Sequence, residues 1–504
     1  MSAEPIALSK VGLPLFWLRR CFADARFGEP SAMDEVLERE LKFDIDEPFA
    51  LPRLDDIARG VAIQRNTVEL RSAYYDTPDG DLQTHGVLLR RRDGDDDTGW
   101  QLKVPDVEGR VEIRAALSDT PPSELTDALI GMRLGKPLVN VATIRTTRDR
   151  YQITDPRSNR LCAEVADDHV RASVDHRLLA WREIEIEVGE DTPPLARRIA
   201  KRLTAAGAKR ARYPSKLARV YQPARGEPTI GTAAGQALMG YITKQIDAVF
   251  DGDLGLRRGS DPIHDTRVAI RRTRSTLRVF GKLLDRDATG DIDDELKWFA
   301  GLLGEVRDCQ VQRHRFQEAL AQLPPELVLG PVANRINTDL QSHQLRARKV
   351  VAGAMNSQRY LDLLATLQQW RGEPPLSKPP SLKALKKRAR HAERKADRRL
   401  AEAIEEGDDE LLHRARKAAK RARYAAELCA PVEKRAKETV KQYKRIQTVL
   451  GDHQDGVVAS ATLRRLALTA GTTAGENGFT YGLLYAREQQ AAETARRQVR
   501  KLVD

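Results

Sequence analysis

One pattern written twice constrains this chain more than any other feature. His264, Arg267, Arg271, Arg274 and Arg278 stand at offsets 0, 3, 7, 10 and 14, and His413, Arg416, Lys420, Arg423 and Glu427 repeat those offsets 149 residues later. At about 100° per residue the five positions fall within about 80° of one another on a helix. Each copy therefore predicts a helix with a histidine and a row of cations along one stripe. Apolar side chains take the other side: Ala269, Ile270, Leu277 and Phe280 in the first copy, and Ala415, Ala418, Ala419 and Ala422 in the second. Like charges this close cost about 0.2–0.5 kcal/mol per neighbouring pair on an exposed helix. A chain that accepts this twice at one spacing predicts an anionic partner for the stripe. The duplication continues: Leu303-Gly304-Glu-Val-Arg-Asp308 pairs with Leu450-Gly451-Asp-His-Gln-Asp455, and Lys297 with Lys444, both at a shift of 147 residues.

Charge is divided unevenly along the 504 residues. Residues 1–225 hold 36 Lys and Arg against 37 Asp and Glu; the rest of the chain holds the other 49 of 85 basic residues and 36 of 73 acidic ones. Attraction to polyanions thus belongs to the C-terminal half. Aromatics make up only 5% of the chain, which argues against reading bases on stacking platforms. Cys21, Cys162, Cys309 and Cys429 form no CxxC pair, so neither a disulfide framework nor a zinc site is indicated, and a reducing cytoplasm fits. The apolar run Val11–Leu18 is short, ends at Arg19-Arg20 and lacks a cleavage site, which predicts no signal peptide and no membrane span. Residues 1–33 read as an N-terminal extension, with Met33, just before the first strand, as a candidate natural start.

Turns and helix breakers set the domain plan. From residue 34 to 221 the texture is short alternating runs broken by turns: Leu37–Ile45, Thr67–Tyr75, Val87–Arg92, Trp100–Val104, Arg110–Ala115, Leu161–Val165 and Trp181–Val188 read as strands, Pro194–Ala206 as a helix. The expectation is an antiparallel β-barrel or tunnel with some helices. Residues 222–235, rich in Pro and Gly, read as a linker. Residues 236–504 have helical period, and the break Gly372–Ser381 divides them into halves, 236–371 and 381–504, expected to be two pseudo-symmetric four-helix bundles.

Within the barrel region, Glu38, Glu40 and Lys42 alternate onto one strand face, and Glu183, Glu185 and Glu187 do so again opposite Ile184 and Ile186. Arg90 and Arg92, Lys103, Arg110 and Arg114 supply cationic strand positions. A solvated sheet face explains each run alone. Together, acidic and basic faces describe a pocket for a metal-bound polyphosphate, with Mg²⁺ or Mn²⁺ on carboxylates and Lys and Arg on phosphate oxygens. The chain has no G-x-x-x-x-G-K-[ST] loop, which excludes a P-loop NTPase.

Two family resemblances sharpen these readings. Glu38/Glu40/Lys42, Tyr74-Tyr-Asp-Thr-Pro78, Leu89-Arg-Arg-Arg92, Leu102-Lys103, Arg110-Val-Glu112, Asp167-Asp168, Glu183-Ile-Glu185 and Ser215-Lys216 resemble the CYTH family of triphosphate tunnel metalloenzymes. That resemblance implies an eight-stranded tunnel acting on inorganic triphosphate, thiamine triphosphate or nucleoside triphosphates, with a few members adenylate cyclases. It implies metal on Glu38, Glu40, Glu183 and Glu185 with Asp168 nearby, phosphate contacts from Lys42, Arg90, Arg92, Lys103, Arg110, Arg145 and Lys216, and a catalytic role for Glu38, Glu40 and Lys42. Arg148 and Arg150 compete with Arg145, and Glu187 competes with Glu183 and Glu185. The His264–Arg274 and His413–Tyr424 helices, with the Leu303–Asp308 and Leu450–Asp455 motifs, resemble the CHAD family of conserved histidine α-helical domains. That resemblance implies a basic groove binding inorganic polyphosphate through His264, Arg267, Arg271, Arg274, Arg278, Lys297, His413, Arg416, Lys420, Arg423 and Lys444, and association with polyphosphate granules. Glu427 departs from Arg278, which sets the two half-sites apart. The expected function is a metal-dependent triphosphatase, transferring phosphoryl groups to water, coupled to polyphosphate binding. The rivals are a non-catalytic polyphosphate-binding protein and a nucleic-acid-binding protein; for the latter no reader motif appears.

Overall fold

The computed structural model describes residues 34–58, 60–94, 98–107, 109–174, 177–189, 192–222 and 230–501. The extension 1–33, with its candidate start at Met33, and residues 223–229 of the linker lie outside them. Ten strands form one antiparallel sheet: β1 (Asp34–Glu38), β2 (Glu40–Ile45), β3 (Ala62–Asp76), β4 (Leu88–Asp93), β5 (Gly99–Asp106), β6 (Gly109–Ala115), β7 (Val139–Asp155), β8 (Arg160–Val174), β9 (Arg177–Val188) and β10 (Lys209–Arg210). Their order is β1-β6-β5-β4-β3-β7-β8-β9-β2-β10. β1 and β2 are one strand interrupted at Arg39. The first part pairs with β6 and the second with β9, so the sheet closes on itself. Counting them as one and setting aside the two-residue β10, eight strands enclose an interior.

β7 corrects the sequence reading, which found no strand over 139–155 and only Leu161–Val165 of β8. Inward positions of β7 include Thr146, Arg148, Arg150 and Gln152, and those of β8 include Glu164 and Asp168. A strand whose buried face is polar carries no hydrophobic alternation to read.

The outer faces are apolar and covered. On one flank Phe43, Val165, Ile184 and Ile186 pack with Leu195, Ile199 and Leu203 of the helix Pro193–Ala205. On the other, Leu89, Trp100, Leu102, Val104 and Ile113 share one core with Leu238, Ile242, Ile246 and Phe250 of the helix Ala233–Arg257 and with Leu363, Leu364 and Leu367 of the helix Gln358–Gly372. Strands β4 to β6 therefore carry the tunnel's interior cations on one side and the helical domain on the other. Buried polar bonds fix this seam: Gln368 Nε2 donates to Asp81 at 3.1 Å, Gln368 Oε1 lies 3.0 Å from His85 Nε2, and Arg371 Nη1 donates to the Thr84 carbonyl at 3.3 Å.

The C-terminal region is all helical. Ala233–Arg257, Ile263–Phe280, Ile292–Ala321 and Val332–Met355 repeat in order as Leu382–Glu406, Asp409–Cys429, Ala436–Ala470 and Phe479–Arg500. Side chains of Thr232, Ser357, Ser381 and Asp408 accept from backbone N–H groups and set four helix starts. Three details differ from the sequence expectation. The helix at Ala233 begins inside the predicted linker. Gln358–Gly372 is a fifth long helix in the first half with no counterpart in the second, and together with Ala233–Arg257 it docks on the barrel. The halves also interlock: Phe316, Val332, Ile336 and Leu340 share a core with Ala459, Leu463, Leu466, Tyr481 and Leu484. Among the described residues no helix is long and apolar enough to cross a membrane.

Candidate functional site

Register builds the tunnel's acidic pole. Lys42 lies opposite Glu185 across β2 and β9, Glu183 opposite Asp168 across β9 and β8, and Asp168 opposite Arg148 across β8 and β7. Ligand oxygens of Asp168, Glu183 and Glu185 fall within 4.8 Å of one another, and all three residues are buried. Three cations reach them. Arg148 holds Asp168 in a fork, Nε to Oδ1 at 2.7 Å and Nη2 to Oδ2 at 2.8 Å, and donates to Glu185 at 2.5 Å. Lys42 bonds Glu185 and lies 3.0 Å from Glu40. Lys216 lies 2.8 Å from Asp168, Glu183 and Glu185 alike. Burial pushes the Glu185 carboxyl up, but Lys216, Lys42 and Arg148 outweigh it and hold the group well below the usual range. Burial likewise opposes Asp168, and Arg148 with Lys216 brings it below its ordinary value. Three cations stand among these three carboxylates, with Glu40 beside Lys42 as a fourth, so the buried charges are tolerable as a network and costly to break.

A basic pole faces it. Arg90 Nε donates to Gln101 at 2.6 Å, with Tyr74 Oη 3.5 Å from Nη1 and Glu112 3.7 Å from Nη2. Lys103 bonds Glu38 at 2.5 Å and lies 2.7 Å from Glu112. Arg92 Nε donates to Ser72 at 3.5 Å. Arg110, half-buried, sits opposite Glu38 on β6 and shares the inward parity of Glu112. Burial pushes Glu38 up to about 7 despite Lys103, whereas for Glu112 Lys103 and Arg90 overcome burial and hold it low. One end of the interior is apolar: Tyr74, Leu88, Ile144 and Trp181 pack with Leu217 and Val220 of the short helix Lys216–Val220.

Three sequence assignments change. Arg145 is exposed, between Arg71 and Arg171 on the outer face, because inward positions of β7 are even-numbered; Arg148 occupies the interior. Glu38 and Glu40 are inside the barrel but outside the three-carboxylate group, engaged by Lys103 and Lys42 respectively. Glu187 is also outside it, with its carboxyl raised by burial. Glu112, quoted from sequence without a role, is 1% exposed and pairs with Lys103 and Arg114. Its alternation with Arg110 and Arg114 was the available signal.

The trio fits a hard divalent ion on one further observation. Glu183 Oε2 accepts from Trp181 Nε1 at 2.5 Å, but Oε1 is buried with no hydrogen bond. An oxygen that is close to cations yet unaligned with any donor suits a spherical ion, which has no donor angle to satisfy.

In the helical domain the two basic stripes meet. Lys420 is crowded by Arg416 on its own helix and by Arg271 and Arg267 on the other; burial first, then these cations, push its ammonium down to about 7. Arg271 also adjoins His264, and Lys420 adjoins His413. His264 and His413 therefore flank one site, each with its imidazole lowered by burial and neighbouring cations. The repeated Leu-Gly motifs gain a physical meaning. A Cβ on Gly304 would stand 3.2 Å from Arg267 Nη2, and one on Gly451 3.1 Å from Arg416 Nη2. Each glycine makes room for a guanidinium that reaches the aspartate four residues on: Arg267 to Asp308 at 3.2 Å, Arg416 to Asp455 at 3.6 Å. Arg274 and Arg278 are held by Asp293, and Arg423 by Glu427. Lys297 and Lys444 are exposed, seven residues before the two glycines and so on their helix face. Among the described residues Arg271 and Lys420 are the two Lys or Arg members of the stripes that make no ion pair, and with the exposed Lys297 and Lys444 they are open to an anion. Glu427, the break in the duplicated stripe, joins the two basic helices: it also accepts from Arg272 at 3.1 Å and from Tyr241 at 3.1 Å.

Comparison with known proteins follows the same division. The CYTH domain family matches residues 37–221 and the CHAD domain family residues 240–464. Two uncharacterised proteins of Mycobacterium tuberculosis, from strains CDC 1551 / Oshkosh and ATCC 25618 / H37Rv, are each 34% identical over 493 residues, covering 92% of this chain and 95% of their own. Among solved structures, PptA from Streptomyces chartreusis is 23% identical and covers 53% of this chain and 98% of its own, with a TM-score of 0.46. The CHAD domain from the plant Ricinus communis is 25% identical and covers 56% and 96%, with a TM-score of 0.45.

Proposed function

From a chain that belongs to the CYTH family in its first half and the CHAD family in its second, we propose a metal-dependent triphosphatase joined to a polyphosphate-binding domain, working in the cytoplasm on polyphosphate granules. The observation that carries the tunnel half is the convergence of Asp168, Glu183 and Glu185 inside a barrel whose opposite wall holds Arg90, Arg92 and Lys103. A triphosphate carries about four negative charges near neutrality; two opposed walls, one cationic and one able to take divalent ions, can bind it along its length.

In this reading Asp168, Glu183 and Glu185 hold Mg²⁺ or Mn²⁺, which supplies Lewis-acid polarisation of a phosphoryl group when bound. Arg90 and Arg92, with Lys103 and Arg110, neutralise phosphate oxygens, and Lys42, Arg148 and Lys216 contribute from the acidic side. Glu38, raised by burial to about 7, exchanges a proton at its carboxyl beside Lys103 near neutrality. The barrel wall excludes bulk water, which strengthens each of these contacts.

The test is phosphate release from inorganic tripolyphosphate by the full chain with Mg²⁺ or Mn²⁺, before and after chelation. Metal-dependent release is expected. Its absence for inorganic, thiamine and nucleoside triphosphates alike would leave a non-catalytic tunnel that only senses its ligand.

Polyphosphate binding has a pH signature. Lys420 titrates near 7 in the free protein, below its unfolded value; the cost of keeping it charged is full below about pH 7 and is relieved as pH rises from there toward the unfolded value. A bound polyanion restores the ammonium and raises that pKa. Affinity should therefore fall as pH rises above 7, by up to about tenfold per unit. Lys420→Arg, charged throughout, should flatten the profile over pH 7–9, as measured by anisotropy of labelled polyphosphate. An equally steep fall in that variant would remove Lys420 from the site.

A further inference from the structure

The ammonium of Lys216 stands where an ion would. It is 2.8 Å from oxygens of Asp168, Glu183 and Glu185 at once, the same three groups whose oxygens converge within 4.8 Å. Neither other nearby cation does this: Lys42 reaches Glu40 and Glu185, and Arg148 reaches Asp168, Glu185 and, at 3.9 Å, Glu187. Lys216 nevertheless fits imperfectly. It has hydrogen-bond alignment with Glu185, while its 2.8 Å approach to the buried Glu183 Oε1 falls outside hydrogen-bond alignment. An ammonium offers three donors in fixed directions; a divalent ion accepts oxygens from any direction at about 2.0–2.6 Å.

The placement of Lys216 on the chain matters too. Lys42 and Arg148 rise from paired strands, which hold their backbones. Lys216 opens the five-residue helix Lys216–Val220, capped by Ser215, at the end of the sheet domain. A long flexible stem on such an element can withdraw without disturbing the barrel. The same helix carries Arg219, whose guanidinium lies 4.9 Å over the Trp181 ring, and Trp181 itself bonds Glu183.

We propose that Lys216 is an internal stand-in for the divalent ion: its ammonium fills the Asp168/Glu183/Glu185 pocket in the empty tunnel, competes with the entering ion for those oxygens, and turns to the phosphate chain once displaced. The proposal rests on the tunnel reading above and adds a coupling to it. The ion frees a cation for the phosphates, and the phosphates draw Lys216 away from the ion's ligands, so each raises the other's affinity reciprocally. A metal ion alone meets an occupied pocket.

The experiment titrates the full chain with Mn²⁺, reading free Mn²⁺ by electron paramagnetic resonance, without and with tripolyphosphate at low temperature. Wild type is compared with Lys216→Met and with Lys216→Gln, which keeps a donor to Glu185; circular dichroism establishes which variants are folded. Without tripolyphosphate, the variants should bind Mn²⁺ about tenfold more tightly than wild type, within the ordinary range of coupling. Tripolyphosphate should tighten Mn²⁺ binding in wild type and much less in the variants. Variants that bind Mn²⁺ no more tightly than wild type, while Asp168→Asn still abolishes binding, would overturn the stand-in and leave the tunnel reading intact. Absence of Mn²⁺ binding in wild type and variants, with or without tripolyphosphate, would overturn both.

Discussion

Arg271→Glu combined with Lys420→Glu will abolish polyphosphate binding while leaving the tunnel's activity in place. These are the two Lys or Arg members of the stripes without an ion-pair partner among the described residues, and they come together from helices 149 residues apart in their duplicated pattern. A unit charge pair at about 4 Å is worth about 4 kcal/mol at the effective dielectric of a protein surface, and reversal turns attraction into repulsion at two points. A loss of about 10³-fold or more follows, since each 1.4 kcal/mol is about a factor of ten. The fold should survive, because Lys420 is crowded by Arg416, Arg271 and Arg267 and its removal relieves that crowding. Polyphosphate binding by anisotropy, a thermal melt and phosphate release from tripolyphosphate, measured on one preparation, check all three parts. Retained affinity would place the polyanion elsewhere on the basic domain.

Glu185→Gln should have the larger effect on the tunnel. Glu185 is the hub of the acidic pole, contacted by Lys42, Arg148 and Lys216 together. Neutralising it removes one of three convergent carboxylates and takes from Lys42, Arg148 and Lys216 the partner they share. Breaking a buried charge network of this kind costs about 3–5 kcal/mol of stability. Loss of a charge aimed at the reacting group typically lowers turnover on the order of 10²–10³-fold. The prediction is a loss of at least that size in kcat/KM for tripolyphosphate, together with weakened Mn²⁺ binding and a lower melting temperature. Polyphosphate binding to the helical domain should persist. Arg145→Ala is the control: its side chain lies outside the barrel, and activity should not change. A fall in activity for Arg145→Ala equal to that of Glu185→Gln would contradict the inward face assigned to β7.

The shared core bears on how such variants are interpreted. Trp100, Leu102 and Ile113 pack against helices of the CHAD region on one side of their strands, while Gln101, Lys103 and Glu112 face the tunnel on the other. Damage to the helical domain will therefore reach the tunnel through β4 to β6, and separation of the two activities needs surface charge changes, not truncation.

The sequence by itself determined the helical stripes, the apolar arcs behind them, the break near residue 372 and the inward acidic faces of β2 and β9. These are local periodicities, and a period of 3.6 or 2 settles which face a side chain shares with its neighbours. Only the tertiary structure decided which faces meet. Arg148 displaced Arg145 because parity along a 17-residue strand depends on its pairing with β3 and β8. Asp168 joined Glu183 and Glu185, while Glu38 and Glu40 did not, because closure of the barrel splits the first strand between β6 and β9. The ammonium of Lys216, from a short helix, also lies among three carboxylates from two strands, a juxtaposition with no trace in local spacing. Electrostatic energy depends on distance through space, and folding brings together charges that the chain holds far apart.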